Sequence, residues 1–426
     1  MTANPTRRQF IKASGATAAT VSLSQIAWSE SKNDQITLAI LGLNGRGRYL
    51  AAQFSPLDGV EIAAIADPDS RLLNERAMEI EVLSGKKPDT VQDFRTLLDR
   101  KDIDAVVVAT PDHWHALATI WACEASKDVY VEKPASHNLL EGKMMIEAAK
   151  RNNRVVQVGT QRRSAPFLAE AKEYIESGKL GDIGMARVWY MSNRPSIGKK
   201  NDSPTPEGVD YDLWLGPAPK SPFNENRFHY EWHWNWDYGT GELGNNGIHG
   251  LDMVRALLDI DLPNRVTSGG GLRMYDDDRI APDIQISTWE YPNLSVVWEH
   301  RQRGGGTLYG KSFGVALYGS EEILVSGGSD WEVHRGKDVE THKGNNGMGE
   351  HVLNFLDCVR TRKTPNASIE QGHLSTSLCH TGNIAYRLRA NLEFDPEKQQ
   401  FIGNDDANAL LGRDYRSPYK PPEGLV

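Results

Sequence analysis

An apolar run, ITLAIL at 36–41, feeds straight into Gly42-Leu43-Asn44-Gly45-Arg46-Gly47, and the next segment, roughly 46–54, has helical periodicity. No other feature limits the fold as much. The short run reads as a buried strand, the glycines impose a tight turn, and strand, turn and helix in that order open a βαβ unit. The pattern then repeats. VEIAAIA (60–66), DAVVVAT (104–110), DVYVE (128–132) and RVVQVG (154–159) are further apolar runs, with helical segments near 70–80, 92–100, 115–126 and 138–152 between them. Continuous Val, Ile and Ala character suits parallel strands covered on both faces, and the alternation predicts an α/β doubly wound sheet.

Set against the dinucleotide fingerprint G-x-G-x-x-G, Gly42 and Gly47 match and Asn44 takes the middle place. The strand before and the helix after supply the context the fingerprint requires. Backbone N–H groups around Gly45 and Arg46, at the helix start, would hold a pyrophosphate. Asn tolerates left-handed backbone angles better than most residues, which makes it an acceptable substitute. Asp67 closes the second apolar run, roughly 20 residues past the glycine loop, where a carboxylate takes the ribose hydroxyls and repels a 2′-phosphate. The expected cofactor is therefore NAD, with NADP as the alternative.

At 426 residues the chain is too long for one ordinary core and predicts two domains. Net charge is −9 with no basic stripe, which excludes a nucleic-acid partner. Cys123, Cys358 and Cys379 lack metal-ligand spacing and read as small core residues. Residues 1–30 stand apart: TRRQFIK (6–12) precedes a mildly apolar run from Ala13 to Trp28. That run is too short and too weakly apolar to span a bilayer permanently. The paired arginines resemble a twin-arginine export signal, which implies the export machinery as a partner and a periplasmic or otherwise exported product.

Two more segments carry a family likeness. Thr110-Pro111-Asp112-His113-Trp114-His115 follows one strand and Glu132-Lys133-Pro134 follows the next. With the glycine loop, they resemble the Gfo/Idh/MocA family of nicotinamide-dependent oxidoreductases, over nearly the whole mature chain. The resemblance implies a Rossmann domain, here 35–160, and a second α/β domain with a large open, mostly antiparallel sheet, here 161–426. It places Lys133 at the nicotinamide with a part in proton transfer. Residue chemistry agrees: a lysine beside an oxidised nicotinamide and partly desolvated has its charged form disfavoured. His113 and His115 are expected to shape the cofactor pocket or cap the following helix. The segment Gly239–Asp252 matches the family's glycine-rich stretch leading to D-x-x-x-H, with His249 as the histidine and Asn245 where the aspartate usually stands. A helix over 247–258 would put Asn245 just before its start and His249 in its first turn, where the positive helix end keeps an imidazole neutral. Asn245 is then a hydrogen-bonding substrate contact and His249 a second proton carrier.

FHYEWHWNWDYG (228–239) puts an aromatic at every second position, which predicts an extended strand with one aromatic face. Most of that face is expected to pack a core or an interface, while Trp234, Trp236 and Tyr238 are candidates to stack on a sugar ring. His229, Glu231 and His233 form the other face. Their spacing suits a metal, but hydride transfer to nicotinamide needs none, so none is expected, and the three are better candidates for hydrogen bonds to sugar hydroxyls. Gln161 and Arg162 are expected to face the same cleft. Residues 194–227 read as a long loop bordering the site. Runs at 184–192, 265–275, 283–290, 294–302, 312–319 and 322–326 alternate like antiparallel strands; an open sheet of this kind commonly forms a subunit interface, which predicts a homo-oligomer. Helices are expected near 348–362 and 369–390. The resulting expectation is a carbohydrate oxidoreductase with tightly held NAD. A redox-neutral glycosidase, lyase or epimerase working through transient oxidation competes with it, as does a non-catalytic nucleotide-binding module.

Overall fold

The computed structural model describes residues 35–425, so the export-signal segment lies outside the described residues. The first unit comprises β1 (Ile36–Leu41), α1 (Gly45–Phe54), β2 (Val60–Ala66), α2 (Ser70–Ser84), β3 (Asp89–Val91), α3 (Arg95–Leu98), β4 (Ala105–Val108), α4 (Asp112–Glu124), β5 (Asp128–Val131), α5 (Leu139–Arg151) and β6 (Val156–Val158). Its strands pair in parallel in the order β3-β2-β1-β4-β5-β6. Strand order reverses between β1 and β4, which opens a crevice at their carboxyl ends. The expected runs lose their last residues to loops: Thr110, Glu132 and Gly159 lie just past their strands. β3 escapes a periodicity reading because it has only three residues, two of them exposed.

The second unit continues with α6 (Pro166–Glu176), β7 (Ile183–Met191), α7 (Tyr211–Leu215), α8 (Ile248–Leu258), β8 (Arg265–Gly271), β9 (Ile284–Tyr291), β10 (Leu294–Arg301), β11 (Phe313–Gly319), β12 (Ile323–Ser326), β13 (Asp330–Arg335), β14 (Asp338–Lys343), α9 (Met348–Thr361), α10 (Ile369–Leu388), β15 (Asn391–Asp395), β16 (Gln400–Phe401) and α11 (Asp405–Ala409). A ten-stranded sheet runs β14-β13-β12-β11-β7-β10-β9-β8-β15-β16. Only the β7–β10 pair in it is parallel. α8 and α10 cover one face, with Leu251, Val254, Leu378 and Ile384 packed among Val188, Trp289 and Trp298. α9 crosses back: Met348, Val352 and Phe355 share a core with Ile40, Phe54 and Tyr130 of the first unit. Packing therefore does not divide at residue 160 as the chain order does.

Residues 228–239 do not form the expected strand. His229 sits at φ 45°, in the left-handed region, and a 3₁₀ turn spans Glu231–Trp234. Each bend closes locally, with Glu231 N–H donating to Phe228 O (3.1 Å), Asn235 N–H to Trp232 O (3.1 Å) and Tyr238 N–H to Asn235 O (3.1 Å). The long loop before it is also ordered into α7 and a 3₁₀ turn at Glu225–Arg227. Trp214, Phe223, Phe228 and Tyr238 bury one another there. This aromatic lobe lies across the crevice and is tied to both walls. Ser70 N–H donates to Gly208 O (2.9 Å) and Asp210 N–H to Pro68 O (2.9 Å) on the β2 side, and His113 N–H donates to Tyr238 O (3.1 Å) on the α4 side.

Candidate active site

The crevice begins at the β1–α1 turn. Gly42 has φ +85°, and a Cβ there would stand 2.7 Å from the Ala109 carbonyl oxygen, so the turn admits glycine alone. Asn44 precedes α1 at φ −77°, ψ −171° and makes no side-chain cap. Its tolerance of left-handed angles is thus not called upon. The first-turn amides of α1 stay uncapped at the crevice, beside the open space at Gly45. Uncapped helix-start N–H groups with the positive helix end fit a phosphate. Asp67 fastens this turn to β2, its carboxylate accepting Leu43 N–H (2.8 Å) and Asp69 N–H (2.9 Å). Burial pushes its pKa up to about 6.

The β4 and β5 loops form the opposite wall. The His115 ring reaches the carbonyl oxygens of Pro134 (Nδ1, 2.7 Å) and Thr110 (Nε2, 2.8 Å) and so ties the two loops together. Arg46 Nε donates to Glu132 Oε1 (2.7 Å), linking the glycine loop to the end of β5. Lys133 Nζ donates to the Asn245 carbonyl (2.8 Å) and lies 3.3 Å from its Oδ1. Burial lowers the Lys133 pKa below its ordinary 10.5, against the pull of Glu132 and Asp112. Asn245 lies in a π turn, Leu243–Gly247, that runs into α8 with Gly247 already helical (φ −58°, ψ −39°). The expected free helix start at 247 is therefore missing. His249 is nonetheless held well below the ordinary histidine value, by burial first and then by the charges of Arg162, Lys133 and Arg46.

Gly42, Asn44, Gly45, Arg46, Asp67, Thr110, Pro111, His115, Glu132, Lys133 and Asn245 all border the crevice. Other expected residues do not. Gly47 packs on Gly42. His113 is buried under the lobe, where Nε2 meets the Trp214 carbonyl at 2.9 Å and burial pushes its pKa down to about 3. Trp234 is buried, its Nε1 on Glu231 (2.8 Å), and Tyr238 is buried with its hydroxyl on Ser221 (2.7 Å). Trp236 lies against Tyr386. Arg162 Nε donates to Gly328 O (3.0 Å), Gln161 is buried, and His249 is not among the residues that line the crevice. Trp234, Trp236 and Tyr238 alternate correctly in one dimension, but the local turns of the lobe decide which way each faces. In their place the lobe presents Leu213, Trp214, His229, Tyr230, Trp232 and His233. His229 Nε2 pairs with Asp69 (3.0 Å) and its Nδ1 lies 3.3 Å from Asn44 Nδ2. Among the described residues, no three His, Cys, Asp or Glu side chains converge as a metal site.

Residues 36–160 match the family described as "Oxidoreductase family, NAD-binding Rossmann fold". Residues 188–282 and 344–421 match "Oxidoreductase family, C-terminal alpha/beta domain", and residues 4–24 match the twin-arginine translocation pathway signal sequence. A levoglucosan dehydrogenase of Pseudarthrobacter phenanthrenivorans is 29% identical over 243 residues, 54% of this chain and 55% of that protein. A glycosyl hydrolase family 109 protein of Shewanella pealeana is 30% identical over 171 residues, 35% of this chain and 38% of the relative. These matches thus span about half or less of each relative. A solved levoglucosan dehydrogenase, in complex with NADH and levoglucosan, has the same fold at TM-score 0.66 and 18% identity, covering 84% of this chain and 99% of that one. Family matches to both sheets, on a chain whose glycine loop and Glu132-Lys133-Pro134 meet in one crevice, place it in the Gfo/Idh/MocA oxidoreductase family, with an NAD-binding Rossmann domain in the lead.

Proposed function

We propose that the chain is an exported enzyme that oxidises a hydroxyl-bearing carbon of a sugar or glycoside with tightly held NAD. The observation that carries this is Lys133: a desolvated amine, held by Asn245, in the same crevice as the uncapped start of α1. The α1 amides would hold the pyrophosphate, and Asp67 with Asp69 at the end of β2 would disfavour the extra phosphate of NADP. NAD, when bound, supplies the hydride acceptor. Lys133, in its neutral form, takes the substrate hydroxyl proton at Nζ. Asn245 holds that amine in place, and His249, neutral and within reach of the Lys133 charge, is the next proton carrier. Tyr230 and Trp232 of the lobe wall the crevice against water and offer flat surfaces to a pyranose ring.

Tight retention rests on the lobe, which bridges both walls of the nucleotide crevice by backbone hydrogen bonds. An exported enzyme meets no free NAD pool, so a retained cofactor must be regenerated in place. That favours, as a second reading, a redox-neutral cycle in which transient oxidation leads to cleavage or epimerisation. The test is to purify the exported protein, quantify its nucleotide after denaturation, and add free hexoses, methyl hexopyranosides and inositols. A single stoichiometric rise in reduced-nicotinamide absorbance supports the oxidoreductase. Product without that rise supports the redox-neutral cycle. Loaded enzyme giving neither refutes both.

A further inference from the structure

We infer that His233 reads a substrate hydroxyl adjacent to the one Lys133 deprotonates, making it a specificity-determining contact; this rests on the function proposed above. Three imidazoles border the crevice: His115, His229 and His233. Two of them are committed elsewhere. Both nitrogens of His115 meet carbonyl oxygens of the β4 and β5 loops. Those of His229 face Asp69 and Asn44. His233 uses Nδ1 alone, on the Tyr230 carbonyl.

That contact also settles which nitrogen is available. A carbonyl oxygen only accepts, so Nδ1 carries the hydrogen and the lone pair is left on Nε2. Among the described residues, no group is bonded to Nε2. The ring cannot easily turn away. It stacks on Trp232 with centroids 3.6 Å apart and planes at 17°. The chain behind it is pinned by Gly239, where a Cβ would lie 2.7 Å from the His233 Cα. Burial pushes the His233 pKa down to about 3, and the nearby Lys133 charge acts in the same direction. The side chain is therefore a fixed, uncharged acceptor beside a fixed amine.

A group of this kind selects its partner by chemistry. A hydroxyl has a hydrogen to donate to Nε2. A carboxylate or phosphate has none at working pH, and its lone pairs would face another lone pair. His233 and Lys133 together thus favour a neutral polyol, in which one hydroxyl loses its proton to Lys133, the carbon bearing it loses a hydride to the nicotinamide, and a second hydroxyl is held by His233. In FHYEWHWNWDYG, His233 then serves the substrate as its face of the pattern suggested, whereas the aromatics beside it in the crevice are Tyr230 and Trp232 rather than the expected Trp234, Trp236 and Tyr238.

The experiment uses NAD-loaded enzyme, methyl hexopyranosides and their monodeoxy analogues. His233→Phe keeps a flat ring on Trp232 and removes the acceptor; His233→Gln restores an acceptor on a flexible arm. His233→Phe should keep its NAD and its melting temperature. Its kcat/KM on the parent sugar should fall roughly 10- to 100-fold, the usual consequence of an unmade hydrogen bond to a substrate. It should lose no further ground on the one deoxy analogue that lacks the contacted hydroxyl, and His233→Gln should recover part of the loss. Unchanged kinetics in His233→Phe would overturn the inference, as would an equal loss on the parent and every deoxy analogue, which marks a merely structural role. If loaded wild-type enzyme transforms no member of the panel, the proposed function fails first, before any variant is made, and this inference falls with it.

Discussion

In the proposed reaction Lys133 is the proton acceptor, and its surroundings set the sign of its pH dependence. Only the neutral amine accepts a proton. Activity should therefore rise with pH through a Lys133 pKa that burial places below 10.5. His233 and His249 are both held well below the ordinary histidine value by burial and stay neutral across the range, roughly pH 5 to 8, in which histidines usually titrate. They should add no limb there. Lys133→Ala should keep NAD bound, lose about two to four orders of magnitude in kcat, and lose the limb itself, as read from single-turnover rates against pH. Asn245→Asp puts a carboxylate beside Nζ, favours the ammonium form, and should move the limb to higher pH with a lower rate at neutrality. A limb that stays in place would mean that only the Asn245 backbone, not its side chain, reaches the amine.

Among elements, the β1–α1 turn tolerates the least change. Gly42→Ala meets two costs: a positive φ, worth about 1 kcal/mol, and a Cβ 2.7 Å from a backbone oxygen that cannot swing aside. The variant should melt several degrees lower and bind NAD weakly by calorimetry, while far-ultraviolet circular dichroism stays native-like. Asp67→Ala would act on the same turn, leaving the buried N–H groups of Leu43 and Asp69 without their acceptor, each at about 1–3 kcal/mol. The lobe shows the opposite behaviour of an element. FHYEWHWNWDYG has the period of a strand, but period two is satisfied equally by successive tight turns whose side chains leave in different directions. Among the described residues no neighbouring strand pairs with it, and Asn235 Oδ1 accepts Asp237 N–H (2.9 Å) to close a turn of its own.

At the scale of the whole molecule, the second unit closes the cofactor crevice of the first. His229 sits at φ 45°, so His229→Gly removes its ring from Asp69 and Asn44 without straining the backbone. Bound NAD should then exchange with labelled NAD about tenfold faster than in wild type, on the order of the loss of one charge-assisted hydrogen bond. Equal exchange rates would mean that the lobe does not retain the nucleotide. Retention matters because of where the protein is proposed to work. Arg7→Lys combined with Arg8→Lys should hold the precursor in the cytoplasm, as seen by cell fractionation, if the signal matched at 4–24 directs export. Among the described residues no helix is long and apolar enough to cross a membrane. The open sheet leaves Ile286 52% exposed, and a homo-oligomer through that face is proposed, to be read by light scattering.

The sequence by itself determined the doubly wound sheet, the glycine turn, the crevice at its strand ends and the meeting of Arg46, Glu132 and Lys133 there. Each follows from local rules: an apolar run too short for anything but a strand, a φ that only glycine adopts easily, and loops that a parallel sheet must bring to one edge. Tertiary structure alone decided what covers that edge. The return of α9 to the first core, the π turn that carries Asn245 to Lys133, and the choice of Tyr230 and Trp232 over Trp234 and Tyr238 all rest on contacts between residues distant in the chain. An aromatic side chain gains from burial in any dry place. Which side chain is buried and which is left facing the crevice is set by the neighbours the fold provides, and no local pattern contains them.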